Sequence, residues 1–422
     1  MKILGVIHQY LPRHLGGSEL HAHQVARELV RRGHDVTMAA TERDLEWPEG
    51  SLRRSSVEGV ATVEMIHHRE YADVRESYEQ RLAGEVLRGL LVAERPDVVH
   101  FHHLAHWGSS ALAAARAFGA KVVVTLHDYF LLCENAVLLR DDLELCREGI
   151  TSACTHCLGV HPVVPAVWGA REASPESLLE RAAAGRREQH REHLRSVDTV
   201  VCPSRFLADT FLEAGLLREE QVLVLKYGYP GAHHEPKRSD PSQPLRVGYL
   251  GGIYPSKGVH VLVDAVAHLG AGQCEVSIAG ATDWFPAYFA QLEQAAQGLP
   301  IRFVGRVENA NVDEFFASID VLVVPSIWFE NLPITIQESF RNGVPVVTTE
   351  LGGMGESVSD EVDGLHFPRG DARALAACLE RLASDRDELY RLASGRTLPP
   401  SLEAVVDRLE TVYRAPARAD AR

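Results

Sequence analysis

Short apolar runs alternate with amphipathic stretches along most of the chain. The opening residues predict a strand at Ile3 to Ile7, a helix from about Glu19 to Arg32 and a strand at Val36 to Ala40. Four later apolar runs predict further strands of the same sheet, at Asp97 to Phe101, Lys121 to Leu126, Thr199 to Cys202 and Val222 to Leu225. Strands that alternate with helices form parallel sheets covered on both faces, so the pattern predicts a doubly wound α/β domain.

A stretch without periodicity, Pro230 to Pro244, is rich in Pro, Gly and polar residues and is typical of an interdomain linker. A second series of strands follows it, predicted at Arg246 to Leu250, Glu275 to Ala279, Ile301 to Val304, Val321 to Val324 and Val344 to Thr348. The chain of 422 residues exceeds the usual size of one core. The predicted division is residues 1–230, a linker at 231–244, a second domain at 245–400 and a terminal segment at 401–422. We expect the helix from about Leu402 to Tyr413 to pack on the first domain and Ala415 to Arg422 to be frayed.

The net charge of -15 argues against a nucleic-acid-binding protein, because phosphate neutralisation needs a basic surface. No apolar stretch reaches the length of a membrane span, which predicts a cytoplasmic protein and leaves peripheral membrane contact open. An odd number of cysteines, seven, favours a reducing compartment over a disulfide framework.

The segment Tyr249 to Gly258 joins a predicted strand to a helix and contains Gly251, Gly252 and Lys257. Paired glycines let the backbone approach a phosphate, and a lysine at the start of a helix neutralises it. A plain turn with a solvated lysine fits the same spacing, so the residues alone leave both interpretations open.

Two glutamates, Glu330 and Glu338, lie eight residues apart between a predicted strand and a predicted helix. Eight helical residues rise about 12 Å. A retaining glycosidase needs carboxylates about 5 Å apart, so this pair suits two ends of a long ligand such as a sugar nucleotide. Two exposed helix glutamates are the alternative.

The spacing from Glu330 to Glu338 resembles the E-x7-E motif of the retaining glycosyltransferases of family 4. Neighbouring segments resemble that family in the expected order: Val304-Gly305-Arg306, the strand from Asp320 to Ser326, NGVPV from Asn342, and Gly364-Leu365. The similarity runs from the first strand to about residue 385.

The resemblance implies a GT-B fold, with two Rossmann-like domains facing a cleft. The first domain would bind the acceptor, and the second would hold a nucleotide diphosphate sugar, UDP-sugar first. Glu338 would bind the ribose, Glu330 the transferred sugar and Lys257 the diphosphate. Backbone N–H groups near Asn331 and Leu332 would face the diphosphate or the sugar. Gly305 and Arg306 would lie beside the base.

One position departs from the family, where an Arg often stands in place of Gly252. We considered Arg205 and Arg306 as replacements for its charge. In the first domain, Gly16 and Gly17 resemble the family's loop over the phosphates and acceptor, and His127 resembles its active-site His, which stabilises charge as the glycosidic bond breaks.

The activity expected from this resemblance is retaining, metal-independent transfer of a sugar to a hydroxyl of a sugar, lipid-linked or natural-product acceptor, with no cofactor. A donor phosphate oxygen would take the acceptor proton. The alternatives are a GT-B-fold epimerase or phosphorylase and a sugar-nucleotide-binding protein without activity.

Two clusters resemble metal sites. We interpret His100, His102, His103 and His106 as polar residues at strand ends near the acceptor, with a metallohydrolase as the alternative. A predicted insertion at about 133–192 contains Cys133, Cys146, Cys154 and Cys157. These cysteines could form a structural four-thiolate zinc site, with free thiols or a disulfide as the alternatives.

Overall fold

The computed structural model describes residues 1–69, 78–133, 135–140, 142–147, 154, 157 and 176–418. It divides into two compact units. Unit 1 comprises Met1–Pro230 and Pro400–Arg422, and unit 2 comprises Gly231–Pro399. Within the predicted insertion at about 133–192, residues 134, 141, 148–153, 155–156 and 158–175 lie outside the described residues.

Unit 1 is built on a twisted sheet whose described strands are β1 (Lys2–Val6), β2 (Asp35–Glu42), β3 (Leu52–Val57), β4 (Val60–Ile66), β5 (Val98–Phe101), β6 (Lys121–Thr125), β7 (Thr199–Cys202) and β8 (Val222–Val224). Their order is β3-β4-β2-β1-β5-β6-β7-β8. Only the β3–β4 pair is antiparallel among these strands.

Unit 2 is built on a second sheet whose described strands are β9 (Leu245–Leu250), β10 (Cys274–Ala279), β11 (Ile301–Gly305), β12 (Val321–Val324), β13 (Val346–Thr349) and β14 (Gly364–Phe367). Their order is β11-β10-β9-β12-β13-β14, and every pair is parallel. The prediction of two Rossmann-like α/β domains is confirmed.

Helices flank both sheets. Those in the described part of the first 230 residues are α1 (Gly17–Arg31), α2 (Arg81–Glu94), α3 (Ser110–Phe118), α4 (Glu176–Leu194) and α5 (Arg205–Glu213). Unit 2 carries α6 (Val259–Val266), α7 (Pro286–Ala295), α8 (Val312–Ala317), α9 (Ile334–Arg341), α10 (Gly352–Ser357), α11 (Ala372–Ser384) and α12 (Arg386–Gly395), and α13 (Leu402–Arg414) follows in unit 1.

Three of the described strands, β3, β4 and β14, were not predicted from the sequence. Strands β3 and β4 form a hairpin at the sheet edge, and its turn residues Glu58 and Gly59 both have positive φ, as a tight two-residue hairpin turn requires. The polar LRRSSV segment of β3 hid this hairpin. Strand β14 is only four residues long. The strand predicted from Val344 begins two residues later, because Pro345 has no N–H to give to a ladder.

Helix α13 packs its apolar face on α1 in the core of unit 1, where Val405 and Leu409 join the cluster that holds Val25 and Leu29. Arg32 reinforces the contact by donating to Glu410 at 3.0 Å. The expectation of a frayed tail is wrong for residues 415–418. Lys121 Nζ donates to the Ala415 carbonyl at 2.8 Å, and the Arg418 N–H donates to Asp198 at 2.6 Å.

Candidate active site

Lys257 lies beyond the carboxyl end of β9, in a short turn (Pro255–Lys257) that leads into α6. Gly258 closes this turn with φ +68°, which a glycine adopts without strain. A Cβ atom at Gly258 would also overlap the carbonyl oxygen of Pro325, so the turn lies directly against the end of β12. Ile327 ties the two segments together by donating its N–H to the Ser256 carbonyl at 2.9 Å.

Glu330 is the centre of this site, and its side chain is only 8% exposed. One carboxylate oxygen, Oε1, accepts from Lys257 Nζ at 2.6 Å, from Ser326 Oγ at 2.7 Å and from Trp328 Nε1 at 2.9 Å. Burial acts to lower the pKa of Lys257, but the attraction of Glu330 outweighs it and leaves that pKa raised. The Lys257 ammonium group is therefore charged at neutral pH.

Two aromatic rings border the ammonium group. Lys257 Nζ lies 5.3 Å from the ring centroid of Trp328 and 5.9 Å from that of Tyr254. The negative faces of such rings attract a cation. Sequence reasoning missed both aromatic residues and Ser326; their positions two to four residues from Lys257 or Glu330 were the only available signal.

Glu330 does not belong to a helix that also contains Glu338. Helix α9 begins at Ile334, so only Glu338 is helical, and Glu330 stands in the preceding loop, where its N–H donates to the Trp328 carbonyl at 2.9 Å. The continuous helix assumed for the two glutamates is therefore wrong, and the helical rise of about 12 Å does not describe their spacing. Burial raises the pKa of Glu338 to about 7, against the attraction of Arg341.

The backbone at Glu330 and Asn331 is packed against the glycines that follow β13. The Gly353 N–H donates to the Glu330 carbonyl at 2.8 Å. A Cβ atom at Gly353 would overlap the carbonyl oxygen of Asn331, so only glycine fits there. Asn331 and Leu332 are both buried, at 5% exposure each.

Gly251 and Gly252 lie in the same loop as Lys257, and Tyr249 holds this loop by donating its hydroxyl to the Gly252 carbonyl at 2.7 Å. A Cβ atom at Gly252 would overlap the ring of Tyr254. Tyr254 therefore occupies the space in which a side chain at position 252 would begin. This explains the glycine at a position where the family often has an arginine.

The two arginines considered as replacements differ. Arg205 belongs to unit 1 and is held by Glu219 and Asp209, each at 2.8 Å, so its charge is already balanced. Arg306 is exposed directly after β11, whose last residue, Gly305, accepts from the Gly280 N–H at 2.9 Å. Arg306 is thus the better candidate of the two.

In unit 1, histidines and carboxylates collect beyond the carboxyl ends of β1, β5 and β6. His127 follows β6, and its Nδ1 bonds the Tyr227 hydroxyl at 2.7 Å. Its ring lies 5.7 Å from that of His21 in α1. Burial, followed by the influence of His21, lowers the pKa of His127 well below its ordinary value. The imidazole is therefore neutral at neutral pH.

Gly16 and Gly17 stand at the start of α1. A Cβ atom at Gly16 would overlap the carboxylate of Glu19, so this glycine makes room for a buried acid. Glu19 in turn bonds His8, with 3.2 Å between Oε1 and Nε2. The glycine loop therefore supports a carboxylate–imidazole pair that sequence reasoning did not identify.

The histidine cluster proposed for a metallohydrolase is held by protein partners. His100 bonds the hydroxyls of Tyr413 and Thr125, each at 2.7 Å, and His103 bonds Asp128 at 3.0 Å. Within the described ranges, no three His, Cys, Asp or Glu side chains are placed to hold one metal ion. The structure gives the metallohydrolase interpretation no support.

The four cysteines proposed for zinc are all among the described residues, and each is half-buried. Burial raises the pKa of Cys133 to about 11, which favours the protonated thiol. A zinc ligand would instead have to be a thiolate. Within the described residues, the cysteines do not form a group placed to hold one metal ion. A zinc site in this segment stays a prediction of the sequence.

Comparison with known proteins supports a carbohydrate-transferring enzyme. Residues 15–229 match the model described as Glycosyltransferase Family 4, and residues 244–385 match the model described as Glycosyl transferases group 1. The chain is similar to glycogen synthase of Mycobacterium tuberculosis, with 24% identity over 93% of this chain and 88% of that protein.

Two solved structures show the same fold. Anabaena HepE in complex with UDP and glucose aligns with a TM-score of 0.67 and 18% identity, covering 98% of this chain and 100% of that chain. Sucrose-phosphate synthase from Thermosynechococcus elongatus aligns with a TM-score of 0.70 and 18% identity, covering 98% of each chain. No helix in the described ranges is both long and apolar enough to cross a membrane.

The family matches, which together cover both units, agree with the two sheets of mainly parallel strands and with the paired Lys257 and Glu330. The chain therefore belongs to the glycosyltransferases of the GT-B fold, with a first half of the Glycosyltransferase Family 4 type and a second half of the glycosyl transferases group 1 type.

Proposed function

We propose that the protein is a retaining glycosyltransferase that moves a sugar from a UDP-sugar to a hydroxyl of an acceptor without using a metal ion. The observation that carries the proposal is the buried pair of Lys257 and Glu330 at the carboxyl end of the unit 2 sheet. Open parallel sheets bind nucleotides beyond this end of their strands. We favour UDP as the nucleotide of the donor, because HepE was solved with UDP and with UDP-glucose.

Lys257 supplies the positive charge that a diphosphate requires. Its amine is held in place by Glu330 and is only 20% exposed, so little conformational entropy is lost when an anion binds it. A diphosphate would share or take over Lys257 from Glu330. The released Glu330 oxygen would then accept from a hydroxyl of the transferred sugar, and a divalent cation has no required role.

Glu338 is the proposed ligand of the ribose hydroxyls. It stands in α9, one helical turn beyond the loop that carries Glu330, and it is partly buried. A carboxylate accepts from two vicinal hydroxyls, and the pair of bonds is stronger when the site is shielded from water. Retention rests on the resemblance of the Glu330 to Glu338 spacing, with the acceptor attacking on the face from which the diphosphate leaves.

A thermal-shift series tests donor binding. Ligands that bind the folded state raise the melting temperature, by an amount set by about RT ln(1 + [L]/Kd). We expect UDP and a UDP-sugar to raise it, and Glu338→Ala to abolish the increase. Glu293→Ala, which removes an exposed glutamate of the same unit in α7, serves as the matched control and should leave it unchanged. An equal increase for wild type and Glu338→Ala would remove the basis of the proposal.

A transfer assay separates an enzyme from a binding protein. Wild-type protein is incubated with the stabilising UDP-sugar and a panel of alkyl glycosides, and products are detected by mass spectrometry. We expect a glycoside whose new bond keeps the anomeric configuration of the donor, read by NMR. Binding without transfer or hydrolysis would favour the non-catalytic alternative. The cytoplasmic location and the peripheral membrane contact stay predictions of the sequence.

A further inference from the structure

His8 follows β1 at the carboxyl edge of the unit 1 sheet and belongs to no motif of the sequence analysis. Thr41 fixes its backbone by donating both its N–H, at 3.1 Å, and its hydroxyl, at 2.6 Å, to the His8 carbonyl. Its Nε2 bonds Glu19 Oε1 at 3.2 Å. Thr41 therefore fixes the backbone of His8, and Glu19 fixes one nitrogen of its ring.

The other ring nitrogen of His8 has no hydrogen-bond partner among the described residues, although that atom is buried. With Glu19 taking the hydrogen on Nε2, Nδ1 of the neutral ring carries a lone pair. A buried polar atom without a partner costs about 1–3 kcal/mol. Such a group in a native structure calls for an explanation, and an absent ligand is one.

Neighbouring histidines do not offer the same group. The His103 ring lies tilted against that of His8, with 4.1 Å between ring centroids, but its Nε2 bonds Asp128 and its Nδ1 accepts from the Ala105 N–H at 3.1 Å. His21 and His102 also have buried Nδ1 atoms without partners, yet each of these residues is at most 5% exposed. The His8 side chain is 19% exposed, so it is the most exposed of these three histidines.

The charges around His8 select against an anion. Hydrogen bonding to His8 overcomes the effect of burial and lowers the pKa of Glu19 to about 2. Burial would raise the pKa of Asp128, but His103 holds it low, so both carboxylates are ionised. Burial and the nearby His103 lower the pKa of His8 despite the pull of Glu19, which leaves the imidazole neutral. A diphosphate would be repelled here, whereas a neutral hydroxyl fits.

We propose that His8, oriented by Glu19, binds the acceptor, with its Nδ1 accepting a hydrogen bond from a hydroxyl of a neutral, polyhydroxylated molecule. This inference rests on the proposed transferase function and on the acceptor role that the family resemblance implies for the first domain, and it adds His8 as a residue that positions the acceptor. Gly16 belongs to the same arrangement, because it leaves the space that the Glu19 carboxylate occupies. His8 thus acts on the position of the acceptor, while the donor groups lie in unit 2.

Three substitutions at His8 distinguish acceptor binding from a purely structural role. The amide of Asn reaches the depth of Nδ1, whereas the amide of Gln reaches that of Nε2. His8→Asn therefore keeps an acceptor atom where the hydroxyl would bind, and His8→Gln keeps only the bond to Glu19. His8→Phe keeps an aromatic ring but loses both the acceptor atom and the bond to Glu19. If the bond to Glu19 were the sole purpose of His8, Gln would be the better replacement.

The test measures transfer from UDP-glucose to an alkyl glycoside or maltose, with the affinity for UDP-glucose determined separately by titration calorimetry. We expect His8→Phe and His8→Gln to lower kcat/KM for the acceptor about 10- to 100-fold, through KM first, and His8→Asn to stay within about fivefold of wild type. UDP-glucose affinity should stay unchanged in all three. The control is His34→Asn, which removes another His–Glu pair of unit 1, His34 with Glu410 at 2.5 Å.

The opposing outcomes are distinct. A His8→Gln variant more active than His8→Asn would overturn the inference and make the bond to Glu19 the whole role of His8. Weaker binding of UDP-glucose by His8→Phe would also overturn it, because the site would then hold the donor. Failure of the wild-type protein to bind any nucleotide sugar would instead refute the proposed function, and calorimetry shows this before any acceptor is used.

Discussion

Removing Lys257 should destabilise unit 2 even when no ligand is present. Its partner Glu330 is 8% exposed, and leaving a buried charge without its counter-ion costs roughly 3–5 kcal/mol. Ser326 and Trp328 would still donate to Glu330, so we expect Lys257→Ala to cost about 3 kcal/mol, the low end of that range. At about 2–4 °C per kcal/mol for a domain of this size, the melting temperature should fall by about 6–12 °C.

A double-mutant cycle isolates the pair. Glu330→Gln keeps the shape of the side chain and removes the charge, and Lys257 at 20% exposure can then be solvated, so this variant should cost about 1–2 kcal/mol. The double variant Lys257→Ala with Glu330→Gln should be more stable than Lys257→Ala alone. The interaction energy from the cycle should reach about 1–3 kcal/mol. Scanning calorimetry of the four proteins at pH 7.5 provides the measurement.

Additive effects of the two substitutions would refute the reasoning. They would mean that Lys257 and Glu330 do not meet in solution, and that the ammonium group is an ordinary solvated lysine. The matched control is Lys237→Ala, which removes an exposed lysine of the same unit and should change the melting temperature by less than about 2 °C.

Three further predictions concern neighbouring residues. Because the pKa of Glu338 is raised to about 7, the folded protein keeps a proton on Glu338 that the unfolded chain loses near pH 4.5. The free energy of unfolding of unit 2 should therefore fall by up to about 3 kcal/mol as the pH rises from 4.5 to 7. Glu338→Gln should remove this pH dependence in calorimetric melts and should also weaken UDP binding. Gly353→Ala should cost at least about 2 kcal/mol by overlapping Asn331, whereas Gly355→Ala in the same helix, whose Cβ meets only ordinary contacts, should be nearly neutral in thermal melts. Gly252→Arg alone should weaken UDP-glucose binding in calorimetry, because the Tyr254 ring fills the space that the arginine needs. Adding Tyr254→Ala should restore or strengthen the binding, because that space is then open. Equal affinities for the single and double variants would contradict this prediction.

The parallel strands were predictable because each is a compact apolar run. Strand β12 reads VLVV and β7 reads TVVC, and the structure gives both the predicted bounds. The β3–β4 hairpin was missed because it lies at the sheet edge. Most residues of β3 are exposed to solvent there, and two of them are arginines, so the strand has no compact apolar run. Its Glu58–Gly59 turn was a usable signal that the sequence analysis did not weigh.

The site was predictable only in its elements. The sequence singled out Lys257 and Glu330, but not that they pair directly, because the contact joins residues 73 positions apart through the end of β12. The start of the helix at Ile334 was misjudged because Pro333 stands immediately before it. A proline is compatible both with the first turn of a helix and with the residue that precedes the helix, so it does not fix the boundary. His8 carried no signal at all, because its partner Glu19 comes near only when α1 packs on the sheet.

The central claim is that Lys257 and Glu330 form the diphosphate site of a sugar nucleotide, and a crystal structure of the protein with UDP tests it most directly. The account predicts a phosphate oxygen within about 3 Å of Lys257 Nζ, with the ribose hydroxyls on Glu338. UDP bound elsewhere, with Lys257 and Glu330 still paired at 2.6 Å, would contradict it.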